Sequence, residues 1–136
     1  PGQPFAPISK IASGGELSRF MLALKVVLSD IKSVPVMIFD EIDTGIGGAV
    51  ADSVGVRLAK LGINHQILVI THQPQVASKG NLHLKISKKQ DKETTSTNVV
   101  QLSIEDRRKE LARMLSGASI TDEAIAAADK LLVENQ

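Results

Sequence analysis

An acidic pair at the end of an apolar run is the feature of this sequence most suited to chemistry. Asp40 and Glu41 directly follow the apolar run Val34–Phe39. A short continuous apolar run predicts a strand buried on both faces, which would place both carboxylates at the carboxyl end of a sheet, where open α/β sheets bind ligands. Asp40 is suited to holding a hydrated magnesium ion, and Glu41 to orienting or deprotonating an attacking water. A solvated strand end is the plainer explanation of the same pair.

Two glycines at the start of a predicted helix form a second candidate site. The residues are Ser13, Gly14, Gly15 and Glu16. Free backbone N–H groups at a helix N-terminus, together with the helix dipole, attract anions such as phosphate. Ser13 and Glu16 also have the spacing of an ordinary capping box, and taken alone these residues fit capping better than ligand binding.

A histidine and an aspartate complete the set of candidate residues. His72 follows a second apolar run, Ile67–Ile70, and Asp43 lies three residues after Asp40 in a glycine-rich stretch. If the two runs are neighbouring parallel strands, His72 lies at the same sheet edge as Asp40 and is able to donate a hydrogen bond to a phosphate. A structural histidine and a turn-forming aspartate are the alternatives.

The elements that would position these residues follow from apolar periodicity. Strand, helix and strand within about forty residues make a βαβ unit, so the two strands are expected to be parallel. The first predicted helix carries apolar residues at helical spacing on one face: Leu17, Phe20, Met21, Leu24, Val27, Leu28 and Ile31. The predicted order is a helix from near Gly14, a strand within Val34–Phe39, a helix from about Gly48 to Leu61 with Val50, Val54, Leu58 and Leu61 inward, and a strand at Ile67–Ile70.

The second half of the chain predicts a hairpin followed by two helices. Leu82, Leu84 and Ile86 alternate with polar residues, as in a half-exposed strand. The remaining predictions are a polar turn from Lys88 to Thr97, a return strand from Asn98 to Ser103, a helix capped by Ser103 and closed by Gly117, and a last helix from Thr121 to about Glu134. The pattern shows no internal repeat and no domain boundary.

Composition excludes several classes of protein. The 136 residues are 43% hydrophobic, which supports a core, and contain no cysteine, which excludes disulfides and cysteine-based sites. Aromatic residues make up 2% and the net charge is +1, so neither base stacking nor strong attraction to a polyanion is favoured. No apolar run approaches the roughly 20 residues of a membrane span.

Positive charge is nevertheless concentrated in the segment 79–113. It has nine Lys or Arg residues against five Asp or Glu, a net charge of +4, while the rest of the chain has −3. DNA contact is one explanation, and a solvated hairpin is the plainer one. The positions considered for DNA contact are Lys85, Lys88, Lys89, Lys92, Arg107 and Arg108.

The order and spacing of these motifs resemble the second half of an ABC-type ATPase head. The matching runs are Ala12–Ser18 for the signature motif, Val36–Glu41 for Walker B, Ile42–Gly45 for the D-loop and Ile70–His72 for the switch histidine. Within that superfamily the sequence is most similar to the RecN family of SMC-like bacterial proteins for DNA double-strand-break repair. Further matching runs are Phe39–Gly48, Thr71–Ala77 and Glu110–Leu115. Half of a RecA-like helicase core is a more distant alternative, because the Ser-Gly-Gly-Glu helix start favours the ABC arrangement.

The resemblance implies a fold class and a place in a larger assembly. The fold class is α/β: a partial P-loop NTPase lobe of parallel strands and flanking helices, with a C-terminal hairpin and helices. Residues 1–136 would be the C-terminal lobe of the head, because the sequence contains no G-x-x-x-x-G-K-[ST] phosphate loop. The partners implied are the N-terminal Walker A lobe, a second head in an ATP-bound dimer, and DNA through the full-length protein. The implied location is cytoplasmic and nucleoid-associated, without a membrane.

The resemblance also implies a role for each candidate residue, with ATP and Mg²⁺ as cofactors. Asp40 would hold magnesium through water, Glu41 would be the general base, and His72 would contact the γ-phosphate. The nucleotide of the opposite head would be bound by Ser13, Gly14, Gly15 and Glu16, and Asp43 would cross the dimer seam. Ala12 stands where transporters usually have Leu. Without a phosphate loop the 136 residues alone are expected to be inactive, and the alternative is a non-catalytic dimerisation or binding lobe of another SMC-like ATPase.

Overall fold

The chain forms two compact units, residues 1–76 and 77–136. The computed structural model describes residue 17 and the ranges 19–24, 35–40, 42–90, 95–117 and 119–133. No domain boundary was predicted from the sequence. The division falls within a short helical stretch, Pro74–Ala77, and is not marked by an extended linker.

The first unit is built on a parallel pair of strands. Strand β1 is Val36–Phe39 and strand β2 is Gln66–Val69, with Val36 paired to Gln66 and Phe39 paired to Val69. Helix α1, Gly48–Leu61, connects them. This βαβ unit is the one that the sequence predicts.

Helix α1 buries one apolar face, as predicted, with one exception. Val54, Leu58 and Leu61 are buried at the spacing of successive helical turns, together with Ala51. Val50 was predicted to face inward and is exposed instead, because Ala51 occupies the inward position of the first turn. The backbone N–H of Gly62 donates to the carbonyl of Leu58 (2.9 Å) where the helix ends, as expected.

The prediction that β1 and β2 are buried on both faces is wrong for the residues described. Met37 and Phe39 are buried in the core, whereas Ile38 is 68% exposed. Leu68 in β2 and Ile70 just beyond it are also exposed. The core lies on one face of the strand pair, since the members of its buried cluster are Leu22, Met37, Phe39, Ile42, Ala51, Val54, Leu58, Leu61 and Val76.

The helical segment at residues 19–24 presents most of its apolar side chains to the surface. Leu22 is buried in the core of the first unit. The exposed apolar residues of this segment are Leu17, Phe20, Met21 and Leu24. These four belong to the apolar face recognised in the sequence, whereas Leu22 does not. The predicted start near Gly14 and the remaining apolar positions Val27, Leu28 and Ile31 lie outside the described residues.

The second unit begins with an antiparallel hairpin. Strand β3 is Leu84–Gln90 and strand β4 is Thr95–Gln101, paired from Leu84 with Gln101 to Gln90 with Thr95. The predicted turn from Lys88 to Thr97 is therefore too long. Its residues extend both strands, because backbone pairing does not require apolar side chains and threonine favours extended backbone.

Two helices complete the second unit where the capping patterns predict them. Helix α3 is Ile104–Ser116 and helix α4 is Asp122–Val133. The Ser103 hydroxyl accepts a hydrogen bond from the Asp106 N–H (3.1 Å), and Gly117 follows with a φ of 80°. The core of this unit is formed by Leu111 and Ala112 with Ala124 and Ala128. Small residues at these positions let the two helices approach closely.

A four-residue helix, α2, covers Pro74–Ala77. In the part of the chain that the structure describes, no helix is both long enough and apolar enough to cross a membrane.

Candidate functional site

The carboxyl ends of β1 and β2 meet at one edge of the sheet. The N–H of Ile70 donates to the carbonyl of Phe39 (2.9 Å), which continues the pairing to the last residue of each apolar run. Asp40 follows on one strand and is exposed, and Thr71 and His72 follow on the other. The parallel register thus places Asp40 and His72 at the same edge, as the sequence predicts.

Asp43 is buried at this edge and accepts several hydrogen bonds. Its side chain is 1% exposed, and its Oδ2 atom accepts hydrogen bonds from the Thr71 hydroxyl, the His72 N–H (3.1 Å) and the Gln73 N–H (3.2 Å). The carboxylate of the segment after β1 thus holds three consecutive residues after β2. The prediction that Asp43 crosses a dimer seam places this residue at an intermolecular surface, whereas its carboxylate here is bonded within its own chain.

The same two segments are tied a second time through Gln73. Its Nε2 group donates to the carbonyl of Ile46 (2.9 Å), and its backbone N–H is also 3.0 Å from Thr71 Oγ1. The segment after β1 and the segment after β2 are therefore joined by two side chains, Asp43 from the first segment and Gln73 from the second.

His72 lies over this bonded segment with its ring open to solvent. Its side chain is 71% exposed, its Nδ1 atom is 3.5 Å from Asp43 Oδ2, and its Nε2 atom is 3.3 Å from Gln73 Nε2. One ring nitrogen thus faces a buried carboxylate, while the exposed ring remains accessible to a ligand.

A further bond joins the helical segment at residues 19–24 to the turn that contains Asp43. The Arg19 guanidinium donates to the carbonyl of Thr44 (2.9 Å). Arg19 follows the Ser-Gly-Gly-Glu run by three residues. The segments recognised in the sequence as D-loop and switch histidine are therefore linked by hydrogen bonds, and the helical segment at residues 19–24 is bonded to the same turn.

Five of the predicted site residues lie outside the described residues: Ser13, Gly14, Gly15, Glu16 and Glu41. Their roles remain predictions. Thr71 and Gln73, by contrast, were not proposed as site residues from the sequence. The available signal was the run of polar residues Thr-His-Gln directly after a predicted strand, at the edge where ligands bind.

The sheet edge offers one carboxylate, that of Asp40, as a ligand for a magnesium ion. Among the described residues, no three His, Asp or Glu side chains gather so as to hold a metal by themselves. Mg²⁺ keeps several water ligands and is commonly held by one or two carboxylates and by substrate phosphates. The exposed carboxylate of Asp40 at the strand end provides such a ligand.

Three of the six basic residues considered for DNA contact have partners within the second unit. Lys85 contacts Glu110 (2.5 Å), and Arg108 forms two bonds to Asp129 (2.5 and 2.9 Å). Arg107 donates to the carbonyls of Ala77 (3.3 Å), Ser78 (2.7 Å) and Gly80 (2.6 Å). Among the described residues Lys88 and Lys89 remain as exposed cations of the hairpin, and Lys92 lies outside the described ranges. DNA contact by this segment remains a prediction.

A groove of about 390 Å³ in the second unit contains a buried carboxylate. Glu110 is 8% exposed and bonds to Lys85 (2.5 Å) and Arg113 (2.6 and 2.9 Å). Burial raises the pKa of the Glu110 carboxyl, but the bonds from Arg113 and Lys85 outweigh burial and hold that pKa below its ordinary value. This cluster joins the hairpin to α3, and the negative charge of Glu110 is paired with the positive charges of Lys85 and Arg113.

The chain is similar in sequence to bacterial DNA repair proteins named RecN. The chain is 57% identical to the DNA repair protein RecN of Rickettsia felis over 132 residues, which are 97% of this chain and 24% of that protein. It is 53% identical to RecN of Xylella fastidiosa over all 136 residues and 47% identical to RecN of Vibrio cholerae over 133 residues, again 24% of each relative. No family model matches the chain.

A solved structure supports the fold independently of these sequences. It comes from work on the structural biochemistry of ATP-driven dimerization and DNA-stimulated activation of SMC ATPases. The TM-score is 0.61 at 24% identity, over 81% of this chain and 66% of that one. The predicted α/β fold is therefore confirmed. Over 97 to 100% of its length the chain is similar in sequence to these RecN proteins, and it spans about a quarter of their length.

Proposed function

We propose that this chain is the C-terminal lobe of the ATP-hydrolysing head of a RecN-type DNA repair and recombination protein. The observation that carries the proposal is the register of β1 and β2, since it brings Asp40 to the same sheet edge as His72. Glu41 is the next residue in the sequence. Open α/β sheets bind their ligands at this edge. The full-length RecN-type protein is called the parent protein below, and its action on DNA would place it at the nucleoid in the cytoplasm.

Each residue at the edge would then have one task in phosphoryl transfer. Asp40 would hold Mg²⁺ through water, and the ion would neutralise developing charge on the phosphates. Glu41, the next residue, would orient and deprotonate the attacking water. His72, exposed at the same sheet edge as Asp40, would contact the γ-phosphate. Catalysis of this kind consists mainly of positioning and electrostatic stabilisation.

The Ser13–Glu16 run would bind the nucleotide held by an opposing head. Two glycines at a helix start leave the backbone N–H groups free for phosphate oxygens. The turn that Asp43 anchors would face the same head through its exposed residues Thr44 and Gly45, rather than through the buried carboxylate. A head would thus supply its carboxylates to one ATP and its signature run to another.

The experiment that tests this function is Glu41→Gln in the parent protein. We expect ATP binding to be retained and ATP turnover to fall by about 10²–10⁴-fold, the usual contribution of a general base. Glu105→Gln, on the exposed side of α3, is the matched control for removal of one carboxylate and should keep wild-type turnover. Unchanged turnover in Glu41→Gln, with ATP still bound, would show that Glu41 is not the base.

A second candidate is a non-catalytic dimerisation lobe of another SMC-like ATPase. It is favoured by the absence of a G-x-x-x-x-G-K-[ST] run from the sequence. The two candidates differ for the parent protein, because the first requires Glu41-dependent turnover and the second does not. Both predict that the 136 residues alone neither bind ATP appreciably nor hydrolyse it, since no phosphate loop is present.

A further inference from the structure

We propose that Asp43 is a positioning residue that holds His72 in its working orientation. The inference rests on the proposed function, in which His72 contacts a phosphate. Asp43 would not touch the nucleotide. It would act through the segment Thr71–Gln73, to which its buried carboxylate is bonded.

The backbone on both sides of the His72 Cα is held by this carboxylate. Asp43 Oδ2 accepts from the N–H of His72 and from the N–H of Gln73, which follows it. The Thr71 hydroxyl donates to the same oxygen. Three consecutive residues bonded to one buried atom have little freedom to rotate, so the direction in which the His72 side chain leaves the backbone is set by Asp43.

The ring of His72 is oriented by the same group. Its Nδ1 atom is 3.5 Å from Asp43 Oδ2, which favours the proton on Nδ1 at that side of the ring. A carboxylate that contacts one ring nitrogen of a histidine commonly selects both the tautomer and the ring orientation. With the proton on Nδ1, the other ring nitrogen, Nε2, is the one left for a phosphate. It would donate to the phosphate in the doubly protonated ring, in place of its present contact with Gln73 Nε2 (3.3 Å).

An ordinary turn-forming role does not account for these bonds. A turn-forming aspartate bonds to backbone groups about two residues away, whereas the three partners of Asp43 are 28 to 30 residues away in sequence. A carboxylate buried to 1% exposure is costly unless it is fully hydrogen-bonded, so its position depends on the Thr71–Gln73 segment as much as that segment depends on it.

The test uses a double-mutant cycle in the parent protein with Asp43→Ala and His72→Ala. For Asp43→Ala we expect kcat for ATP to fall by roughly 10–100-fold, with a much smaller change in KM, as for a misplaced reacting group. In the His72→Ala background Asp43→Ala should have little further effect, because both changes remove the same interaction. Lys60→Ala, exposed near the end of α1, is the control and should keep wild-type turnover.

Two gentler variants keep the test informative if Asp43→Ala fails to fold. Asp43→Asn keeps a carbonyl oxygen able to accept the same three bonds but removes the charge near the ring, so kcat should lie between wild type and Asp43→Ala. Thr71→Val removes one donor and should lower kcat in the same direction. Folded variants with wild-type kcat, or an equal loss in the presence and absence of His72, would overturn the inference.

A spectroscopic readout on the 136-residue chain separates this inference from the proposed function. The ¹⁵N shifts of the His72 ring should show more proton occupancy on Nδ1 in the wild type than in Asp43→Asn, while those of His65 stay the same. Unchanged His72 shifts in a folded Asp43→Asn chain would overturn the positioning role. Wild-type turnover in His72→Ala would instead refute the phosphate contact of the proposed function, and altered ring shifts would still support Asp43 as its positioning residue.

Discussion

Among the residues that the structure describes, Asp43 and Glu110 are buried carboxylates that are stabilised in different ways. Asp43 is surrounded by a hydroxyl and two backbone amides, whereas Glu110 is bonded to Lys85 and Arg113. A buried carboxylate requires donors in either case, because leaving it unpaired costs several kcal/mol or shifts its pKa. The neutral donors of Asp43 leave its charge available to His72, while the charge of Glu110 is neutralised.

The pairing of Glu110 predicts a pH-dependent contribution to the stability of the second unit. Its pKa is lower in the folded chain than in the unfolded chain, so the stabilisation is fully present above the ordinary carboxyl pKa. It is lost as pH falls through the lower, folded value. Glu110→Gln should therefore reduce the free energy of unfolding of this unit by about 1 kcal/mol at neutral pH and much less in acid, since both cations keep solvent contact.

The measurement is urea unfolding at both pH values, followed through amide resonances of α3. Glu105→Gln on the same helix is the control, because its ion pairs with Arg108 and Lys109 (both 3.7 Å) are largely exposed and contribute little. An effect of Glu110→Gln that is equally large in acid would contradict the assignment.

Sequence patterns identified Asp43 and His72 but not the bond between them. Strand ends, glycine-rich turns and spacing are local properties, so they show where a polar residue lies along the chain. The burial of Asp43 depends on residues 28 to 30 positions away that approach only when the two strands pair. For the same reason Thr71 and Gln73 were not recognised as part of the site.

At the scale of elements, the two-stranded sheet of the first unit has one covered face and one apolar open face. Met37 and Phe39 are buried on one side, and Ile38, Leu68 and Ile70 are exposed. Parallel sheets normally have both faces covered. We expect the remainder of the parent protein to cover this face, because the RecN proteins that the chain matches are about four times as long.

This arrangement predicts a context-dependent effect of Ile38→Asp. In the 136-residue chain Ile38 is largely exposed, so the substitution should change the free energy of unfolding by less than about 1 kcal/mol. In the parent protein it would bury an unpaired charge and should cost several kcal/mol. Thermal unfolding of both proteins measures the difference, and Ile63→Asp, in the exposed turn after α1, is the control. Equal effects in the two proteins would show that the open face stays uncovered.

Helices were predicted more accurately than the environment of the strands for a physical reason. Ser103, Thr121 and Gly117 begin or end helices through bonds made within a few residues, so the relevant information is local. The apolar run at β1 correctly indicated a strand. Burial of β1 on both faces requires neighbours on the second face, and the described residues supply none there. Ile38 is therefore exposed.

At the scale of the whole molecule, the proposed site is divided between heads. The hydrolytic residues Asp40 and Glu41 would act on the nucleotide of their own head, while Ser13–Glu16 would act on that of the opposite head. Among the described residues, Arg19 is bonded to Thr44, and the neighbouring Asp43 is bonded to His72. Such a division adds to the effect of the missing phosphate loop, so the 136 residues alone are expected to be inactive even though they contain the hydrolytic carboxylates.

Mixing two inactive variants of the parent protein tests this division most directly. Glu41→Gln removes the base, and Gly14→Asp places a side chain and a negative charge in the anion-binding run. In a mixed dimer, one ATP would meet both defects and the other would meet neither. We therefore predict that each variant alone lacks ATP turnover and that their mixture regains it well above the sum of the two. Mixed dimers that form, bind ATP and remain inactive would contradict the account.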